Sequence, residues 1–253
     1  MTFIDYTLIG IAAMAGGAVN ALAGGGTLIT FPMLTAVGVP AVAANVTNTV
    51  SLCPGYLGAS IAQFRDLKGQ TTYLWLFLPL SVICGAAGGY LLLITGEQMF
   101  RTMVPYLILF ATAMLAVQDK IRGWVMKHTV PPGQETAHYG WKLLLLSPAA
   151  IYGGYFGAGA GVIILATLGL IFEDSLTKLN ALKQTISFGA NTAAAVIFLF
   201  SDQVAWPIVP VMAIGAMIGG SLGGRLAGRI SPTLLRRIVV AIGLVIGLIY
   251  LVR

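Results

Sequence analysis

Charged residues are scarce in this chain of 253 residues. Lysine, arginine, aspartate and glutamate together make up 9% of it, whereas apolar residues make up 58%. A water-soluble domain carries about 25% charged residues, which cover its surface. The composition therefore excludes an ordinary soluble globular protein. The mean hydropathy of +0.91 and continuous apolar stretches of roughly 20 residues predict an all-α integral membrane protein.

Acidic residues number only eight, and none lies in the middle of a predicted span. A carboxylate at that depth is the usual relay of a proton or sodium pump, so no such relay is predicted. The sequence also lacks H-E-x-x-H and a phosphate-binding loop, and His128 and His138 both fall in a connection. We therefore expect no enzyme activity, no metal and no cofactor. Cys53 and Cys84 lie in apolar segments and are interpreted as core residues rather than a disulfide.

The net charge of +6 comes from basic residues at the ends of the apolar stretches. In membrane proteins this pattern orients the helices, because lysine and arginine stay on the cytoplasmic side. Aromatic residues do not alternate with the basic ones as single-strand binding requires. The expected partners are therefore the lipid bilayer and a small solute, and not nucleic acid.

Two halves of the chain repeat the same order of features at an offset near 135 residues. Each half opens with a Gly-rich interruption, at 23–27 or 157–161, which a short apolar helix follows, at 28–37 or 162–171. A helix with polar residues, a Pro/Gly-rich helix and a final apolar helix come next in both halves. Such duplication is typical of transporters. We predict a first membrane repeat, a cytoplasmic linker and a second membrane repeat, at 1–118, 119–141 and 142–253.

The distribution of basic residues separates two topologies. If every element crosses the membrane, as eight helices in a 4+4 arrangement, the fourteen basic residues divide equally between the two sides. If each Gly-rich opening is a re-entrant hairpin, one side collects all of them except Arg101 and Arg253, as the positive-inside rule requires. We therefore predict two inverted repeats, each a re-entrant helix hairpin plus three transmembrane helices, with both termini outside. The alternative of eight full transmembrane helices stays open, because the stretch 5–22 is long enough to span by itself.

The Gly-rich interruptions are the predicted binding site. Non-helical backbone at membrane depth must be buried in protein or line a cavity, and glycine allows main-chain N–H groups to approach a ligand closely. The helix after each interruption would point its N-terminus at the site, which favours an anion. Hydroxyls and amides about two turns into the next helices are deep enough to complete it. The predicted substrate-binding residues are Gly24, Gly25, Gly26, Thr27, Asn45, Asn48, Thr49, Ser51, Gly157, Gly159, Gly161, Lys183, Gln184, Thr185, Ser187 and Asn191.

Plainer interpretations compete with a binding role. Glycines in membrane helices often serve close packing, and serine, threonine and asparagine often join helices by hydrogen bonds. We expect the packing role for the pairs Gly88-Gly89 and Gly219-Gly220. Lys183 is placed to reach the predicted site, but a snorkelling position at the cytoplasmic edge is the favoured interpretation of it.

Several of these motifs match a known family. Gly24-Gly-Gly-Thr27, with Phe31-Pro-Met-Leu34 and Asn45-Val-Thr-Asn-Thr49 after it, resembles the opening of the TauE/SafE family of membrane permeases, and 152–161 resembles the second family repeat. The likeness covers essentially the whole chain. It implies a multi-pass permease of the plasma (inner) membrane for sulfur-containing anions such as sulfite or organosulfonates, whereas the residues by themselves indicate only an anion. Lys183-Gln184 stands where Thr47-Asn48 lies, so the second half-site is expected to be more cationic.

Two other functions stay open on the sequence. One is a passive channel for small anionic or neutral solutes, which would share the re-entrant hairpins. The other is a membrane subunit of a larger complex, whose partner does the chemistry. The sequence leaves open the exact substrate, the direction and coupling ion, and the oligomeric state, a homo-oligomer included.

Overall fold

The computed structural model describes residues 1–22, 25–127, 139–172, 174–226 and 232–252. These residues form helices and short connections and contain no strand, so the all-α prediction is confirmed for this part of the chain. The first half contains α1 (Phe3–Leu22), α2 (Thr27–Ala36), α3 (Ala41–Ala62), a 3₁₀ turn (Phe64–Leu67) and α4 (Thr71–Lys127). The second half contains α5 (Tyr139–Tyr155), α6 (Ala160–Ile171), α7 (Leu176–Leu199), α8 (Val209–Leu226) and α9 (Pro232–Val252).

Helix α4 is two helices joined at an elbow. Gly96 has φ +74° and ψ 163°, a conformation that glycine adopts without the steric cost of a side chain. We call the two arms α4N (71–95) and α4C (97–127). The second arm continues to Lys127, into the stretch 119–141 that the sequence assigns to the linker. The polar stretch that follows Val117 is rich in good helix formers, and these extend the helix.

Among the residues that the structure describes, three helical stretches are long and apolar enough to cross a membrane by themselves. They are Phe3–Asn20 in α1, Thr71–Ile121 across α4 and Thr233–Val252 in α9. Large apolar side chains also lie on the outside of the bundle, including Phe3, Trp75 and Leu144. An exposed apolar surface of this kind suits lipid rather than water, and the chain is therefore a multi-pass membrane protein.

Two glycine seams hold the halves together. In one seam α1 packs on α8, and a Cβ on Gly219 would lie 1.8 Å from the carbonyl oxygen of Met14. In the other, α5 packs on α4N, and a Cβ on Gly88 would lie 2.1 Å from the carbonyl oxygen of Ile151. The first helix of each half thus contacts the fourth helix of the other half, α8 or α4N. The predicted packing role is confirmed for Gly88 and Gly219, whereas Gly220 has its nearest neighbour at 3.8 Å and needs no glycine for space.

The path of α1 and α2 ends near the place where it starts. Met1 and residues 37–40, which follow α2, line one open cavity of about 310 Å³. The connection between α7 and α8 lines the same cavity through residues 202–205 and Ile208. The chain therefore leaves and re-enters one end of the bundle before α3 begins.

The path of α5 and α6 has the same form. Phe172, directly after α6, packs on Tyr73 and Phe77 at the start of α4N, with ring centroids 4.2 and 5.4 Å away. Lys142, in the first turn of α5, lies over the same Phe172 ring at 5.1 Å. The start of α5 and the end of α6 are therefore neighbours. The inverted relation of the two halves and the division at 118 and 142 stay predictions.

Candidate functional site

The first Gly-rich interruption is a tight tip between α1 and α2. Gly25 has φ +89°, and Gly26 is the residue before α2. A Cβ on Gly25 would lie 3.0 Å from the Leu115 side chain of α4C, and one on Gly26 would lie 2.2 Å from the Gly16 carbonyl oxygen. This tip packs against protein, as non-helical backbone at membrane depth must. Gly24, which the sequence also places in the site, lies outside the described residues.

The second interruption is a tip between α5 and α6. Gly157 and Gly159 have φ +76° and +73°, and a Cβ on Gly159 would lie 3.2 Å from the backbone of Ala111 in α4C. Ala111 and Leu115 are about one helical turn apart, so both tips contact the same stretch of one helix. The sequence predicts the two interruptions, but it contains no sign that α4C joins them.

An aromatic cluster fills the space between the two hairpins. Phe31 of α2 lies 5.4 Å from Phe156 at the second tip and 6.4 Å from Phe100 of α4C, measured between ring centroids. Phe100 and Phe156 are 6.2 Å apart, and all three side chains are fully buried. Edge-on aromatic packing of this kind is stabilising beyond the area it buries. Sequence reasoning missed the cluster, because a phenylalanine within an apolar run has no distinguishing pattern.

A closed hydrogen-bond network forms the first half-site. The Asn48 side-chain oxygen accepts from the Thr30 hydroxyl at 2.6 Å, and its nitrogen donates to the Thr27 hydroxyl at 3.4 Å. The Thr30 hydroxyl is also 3.3 Å from the Gly26 carbonyl oxygen. The structure thus brings the predicted residues Gly26, Thr27 and Asn48 together, with Asn48 of α3 against the first turn of α2. Thr30 was missed, although its spacing of three from Thr27 places both on one helix face.

A cationic network takes the corresponding place in the second half. The Lys183 ammonium donates to the Asn180 side-chain oxygen at 2.7 Å, and the Asn180 nitrogen donates to the Gln63 side-chain oxygen at 2.9 Å. A Cβ on Gly161 would lie 3.8 Å from the Lys183 stem. Lys183 therefore rests on the first turn of α6, while its charge lies toward the start of α7. Asn180 and Gln63 were missed because their pairing joins distant parts of the chain.

Asn191 and Ser187 approach the second tip from α7. The Asn191 side-chain nitrogen donates to the Ser187 carbonyl oxygen at 2.8 Å. A Cβ on Gly157 would lie 3.7 Å from the Asn191 side-chain oxygen. The carbonyl of Gln184, by contrast, accepts from Ser60 at 3.3 Å, which fixes α7 against α3. Among the predicted residues of α7, Lys183 and Asn191 are therefore the ones that contact the tip.

Three predicted hydroxyls are engaged within their own helices. Those of Thr49, Ser51 and Thr185 each donate to the carbonyl four residues earlier, at 2.9, 2.7 and 3.1 Å. A hydroxyl has a single hydrogen to donate. In this conformation these side chains offer a ligand lone pairs rather than hydrogens.

Turn bonds also occupy part of the two helix N-termini. The N–H groups of Leu28 and Ile29 donate to Gly25 and Gly26, each at 3.0 Å. At the second tip Ala160 donates to the Gly157 carbonyl at 3.1 Å, and Val162 donates to the Gly159 carbonyl at 3.0 Å. The N–H groups of Thr27 and Gly161 donate none of these bonds. They are therefore the main-chain groups that could donate to an anion.

Asn45 joins the two halves instead of contacting the first tip. Its side-chain nitrogen donates to the carbonyl oxygen of Tyr155, the last residue of α5, at 2.8 Å. The Tyr155 hydroxyl in turn donates to the Thr95 hydroxyl at 3.4 Å, beside the α4 elbow. Asn45 is therefore part of the second half-site, although it is in the first half of the sequence.

Two cavities described in the structure lie away from the tips. One of about 680 Å³ surrounds the elbow and is lined by residues 95–99, Thr102 and Met103. The other is the cavity of about 310 Å³ next to Met1. Neither is lined by a predicted site residue, since the aromatic cluster packs the hairpins together. In the described part of the chain no group of three or more histidines, cysteines or acids could hold a metal.

Comparisons with known proteins agree with these features. A family model described as sulfite exporter TauE/SafE matches residues 8–250. A Haemophilus influenzae protein named probable membrane transporter protein is 29% identical over 201 residues, which are 79% of this chain and 76% of that protein. The Sinorhizobium protein named probable membrane transporter protein ORF9 is 24% identical over 211 residues, 82% of this chain and 77% of that protein. Probable membrane transporter protein YfcA of Escherichia coli K12 is 24% identical over 211 residues, 81% and 74% of the two chains. No solved structure matches.

Proposed function

Because this chain belongs to the TauE/SafE sulfite exporter family, we propose that it is a permease that carries sulfite or an organosulfonate across the plasma membrane. The family and its relatives make the chain a membrane transporter. The substrate, the membrane and the binding site are the parts proposed here. The site lies between the two hairpin tips, and the substrate binds there through its oxyanion head.

One observation carries the proposal: both glycine tips contact one turn of α4C, at Leu115 and Ala111. Each tip begins a helix whose N-terminus favours negative charge. Thr27 and Asn48 lie at the first of these helix starts, and Gly161 and Lys183 lie at the second. In the proposed site these donors bind the oxyanion, and Lys183, whose stem lies on the first turn of α6, supplies the positive charge.

The inverted topology is part of the proposal. In both hairpins the beginning of the first helix and the end of the second are neighbours, as the contacts of Met1 and Phe172 indicate. The seams also correspond, because Gly219 on Met14 and Gly88 on Ile151 join equivalent helices of opposite halves. Three full crossings and one re-entrant hairpin in each half account for these contacts, with both termini outside.

Transport then proceeds by motion of one repeat against the other around a fixed central site. The cluster of Phe31, Phe100 and Phe156 closes the space between the hairpins, and it is the barrier that a carrier needs when neither side is open. Opening requires α3 and α7 to slide along each other. Their polar contacts are few, and that between the Cys53 sulfur and the Thr192 hydroxyl is 3.7 Å long.

Liposomes that contain the purified protein test this function. We expect release of labelled sulfite that saturates with concentration and that becomes faster when unlabelled sulfite is present outside, because a carrier returns faster when loaded. Organosulfonates should compete, and chloride should not. Protein-free liposomes are the control. A rate no higher than theirs would disprove the substrate class, and a rate that rises without saturation would indicate a channel.

A further inference from the structure

Asn45 has a buried side-chain oxygen that lacks a hydrogen-bond partner among the described residues. Five buried side-chain atoms of the described residues have no hydrogen-bond partner: Asn45 Oδ1, Gln70 Oε1, Thr112 Oγ1, Gln118 Oε1 and Ser187 Oγ. Asn45 is completely buried, and its Nδ2 atom is committed to the Tyr155 carbonyl at 2.8 Å. This bond fixes the amide so that Oδ1 is the atom left over. A buried acceptor without a donor is destabilising, and the site thus favours a ligand that binds to an oxygen lone pair.

The surroundings of Asn45 present further oxygens. It lies at the C-terminal end of α5, where the last carbonyls have no partner within the helix and the helix dipole is negative. Of these carbonyls, that of Tyr152 accepts from Phe156 and Gly157, at 3.0 and 3.1 Å, and that of Tyr155 accepts from Asn45. Those of Gly153 and Gly154 accept no hydrogen bond from outside α5 within the described residues and remain for a ligand.

Two of the oxygens converge at Gly157. The point that a Cβ would occupy there lies 3.2 Å from the Gly153 carbonyl oxygen and 3.7 Å from Asn191 Oδ1. Asn191 is held in this orientation by its bond to the Ser187 carbonyl. Ser187, whose hydroxyl also has no partner in the described part of the chain, lies one turn earlier on the same face of α7. The end of α5 is thus lined by acceptor oxygens from three helices.

We propose that Asn45 and the carbonyl end of α5 bind a monovalent metal cation, such as Na⁺, next to the anion site. In broken-helix transporters the C-terminal ends of half-helices and unwound carbonyls coordinate such cations. Ca²⁺ and Mg²⁺ usually require carboxylates, and the oxygens that line this place are amide, carbonyl and hydroxyl oxygens. A monovalent ion is therefore the class that fits.

The position of the cation explains how an anion is tolerated nearby. The end of α5 and the start of α6 belong to one tip, and only residues 156–159 separate them. A cation at the negative end of α5 and an oxyanion at the positive end of α6 attract each other across this short distance, strongly because water is excluded. By reciprocity, each ion then raises the affinity for the other by the same factor. This coupling rests on the proposed function, whereas the cation site itself does not.

Thermal unfolding of the purified protein without any sulfite tests the site. Choline chloride is replaced by NaCl or KCl at constant total salt. We expect the unfolding midpoint to rise by about 3–5 °C for each tenfold increase of Na⁺ above its dissociation constant. A rise with K⁺ as well also supports a monovalent site. A midpoint that neither Na⁺ nor K⁺ changes would overturn the proposal.

Two substitutions locate the cation. Asn45→Leu should abolish the shift, whereas Asn48→Leu, one turn further along α3, should keep it, because the Asn48 oxygen is already bonded to Thr30. Asn45→Asp serves if the leucine variant does not fold, since it retains an oxygen ligand and adds a negative charge. It should lower the Na⁺ concentration required by about tenfold. A wild-type Na⁺ dependence in the variants of Asn45 would place the ion elsewhere.

The outcomes for the two proposals are separable. A Na⁺ shift in a protein that does not transport sulfite would keep the cation site and remove the substrate. Sulfite transport in choline buffer, together with no Na⁺ shift, would keep the function and remove the cation.

Discussion

The two hairpin tips share a backbone plan and differ in chemistry. At the first tip, Thr27, Thr30 and Asn48 bond to one another, and the network is neutral and complete. At the second tip, Lys183 adds a positive charge, and the side-chain oxygens of Asn45 and Ser187 have no hydrogen-bond partner among the described residues. Buried polar atoms without partners are costly unless they have a task. We therefore expect the first tip to contribute mainly to stability and the second to contribute more to binding of the proposed ions.

The helices that follow the two hairpins, α3 and α7, also differ in how they begin. The N-terminus of α3 is capped from a distance, because the Glu97 carboxylate at the elbow accepts from the N–H groups of Ala41 and Val42 at 2.6 and 2.9 Å. The N-terminus of α7 is capped locally by Ser175, which accepts from the Lys178 N–H at 3.4 Å. The first half therefore depends on its elbow, more than 50 residues away in sequence, for a cap that the second half makes three residues away.

The largest effect on stability is expected at the two glycine seams, where a substitution in either half should have the same result. Gly219→Ala and Gly88→Ala each place a methyl group within 2.1 Å of a carbonyl oxygen, and the helices must separate to admit it. We expect each to lower the free energy of unfolding by about 3 kcal/mol, measured by thermal unfolding in detergent. Gly220→Ala, with its nearest neighbour at 3.8 Å, is the matched control and should be neutral or slightly stabilising. Equal stability of Gly219→Ala and Gly220→Ala would contradict the close seam.

The next effect separates the tips. Lys183→Met should raise the half-saturation concentration for sulfite by about 30-fold or more. The reason is that losing the charged partner of a buried anion costs about 2 kcal/mol or more of binding free energy. Asn48→Leu removes neutral hydrogen bonds and should cost about 1 kcal/mol, or roughly fivefold. Sulfite release from liposomes gives both values, and thermal unfolding checks that the variants are folded. Equal losses would mean that the half-sites are equivalent and that the comparison is wrong.

A smaller effect is expected at the helix starts. Glu97→Gln preserves the shape of the side chain, but its amide nitrogen would face an N–H group. The free energy of unfolding should fall by about 1–2 kcal/mol. Ser175→Ala removes one local cap and should cost about 1 kcal/mol. Thermal unfolding of the two variants, measured side by side, gives both changes in the free energy of unfolding. A greater loss of stability in Ser175→Ala than in Glu97→Gln would contradict the expected order.

The smallest effect is expected at two hydroxyls that the sequence places in the site. Thr49→Val and Thr185→Val remove groups that donate to their own helices, so the affinity for sulfite should change by less than about threefold. Half-saturation concentrations in the liposome assay provide the check. A loss of tenfold or more in either variant would show that its hydroxyl turns toward the substrate during transport.

The sequence was sufficient for the elements that glycine and hydrophobicity mark. The short helices predicted at 28–37 and 162–171 begin and end within two residues of α2 and α6, because a glycine cluster interrupts an apolar run in a visible way. The division of α4 into two arms was predicted, as a Pro/Gly-rich helix followed by a final apolar helix, but the sharp elbow at Gly96 was not. Gly96 lies between the apolar run 91–94 and the polar residues Glu97 and Gln98, which mark the end of a helix but do not show that the next one begins at once.

The site was predicted in its members more than in its pairings. Asn48 with Thr27 and Lys183 with Gly161 could be anticipated, since each pair follows from the repeated order of tip and polar helix. The bond of Asn45 to Tyr155 spans 110 positions and depends on how α3 crosses the end of α5. The roles of Asn180 and Gln63 depend in the same way on the pairing of α3 with α7. Such contacts follow from packing, which a single sequence does not encode in any local pattern.

At each seam a helix packs on a helix of the other half, and this has a consequence for biosynthesis. The ribosome makes α1 first, yet the partner of its glycine face is α8, which is completed some 200 residues later. Until then the Gly17 side of α1 faces lipid or the insertion machinery instead of Ala216. The amino-terminal hairpin therefore cannot settle while the chain is still being threaded into the bilayer. Its final docking is a late event that follows the release of almost the entire polypeptide.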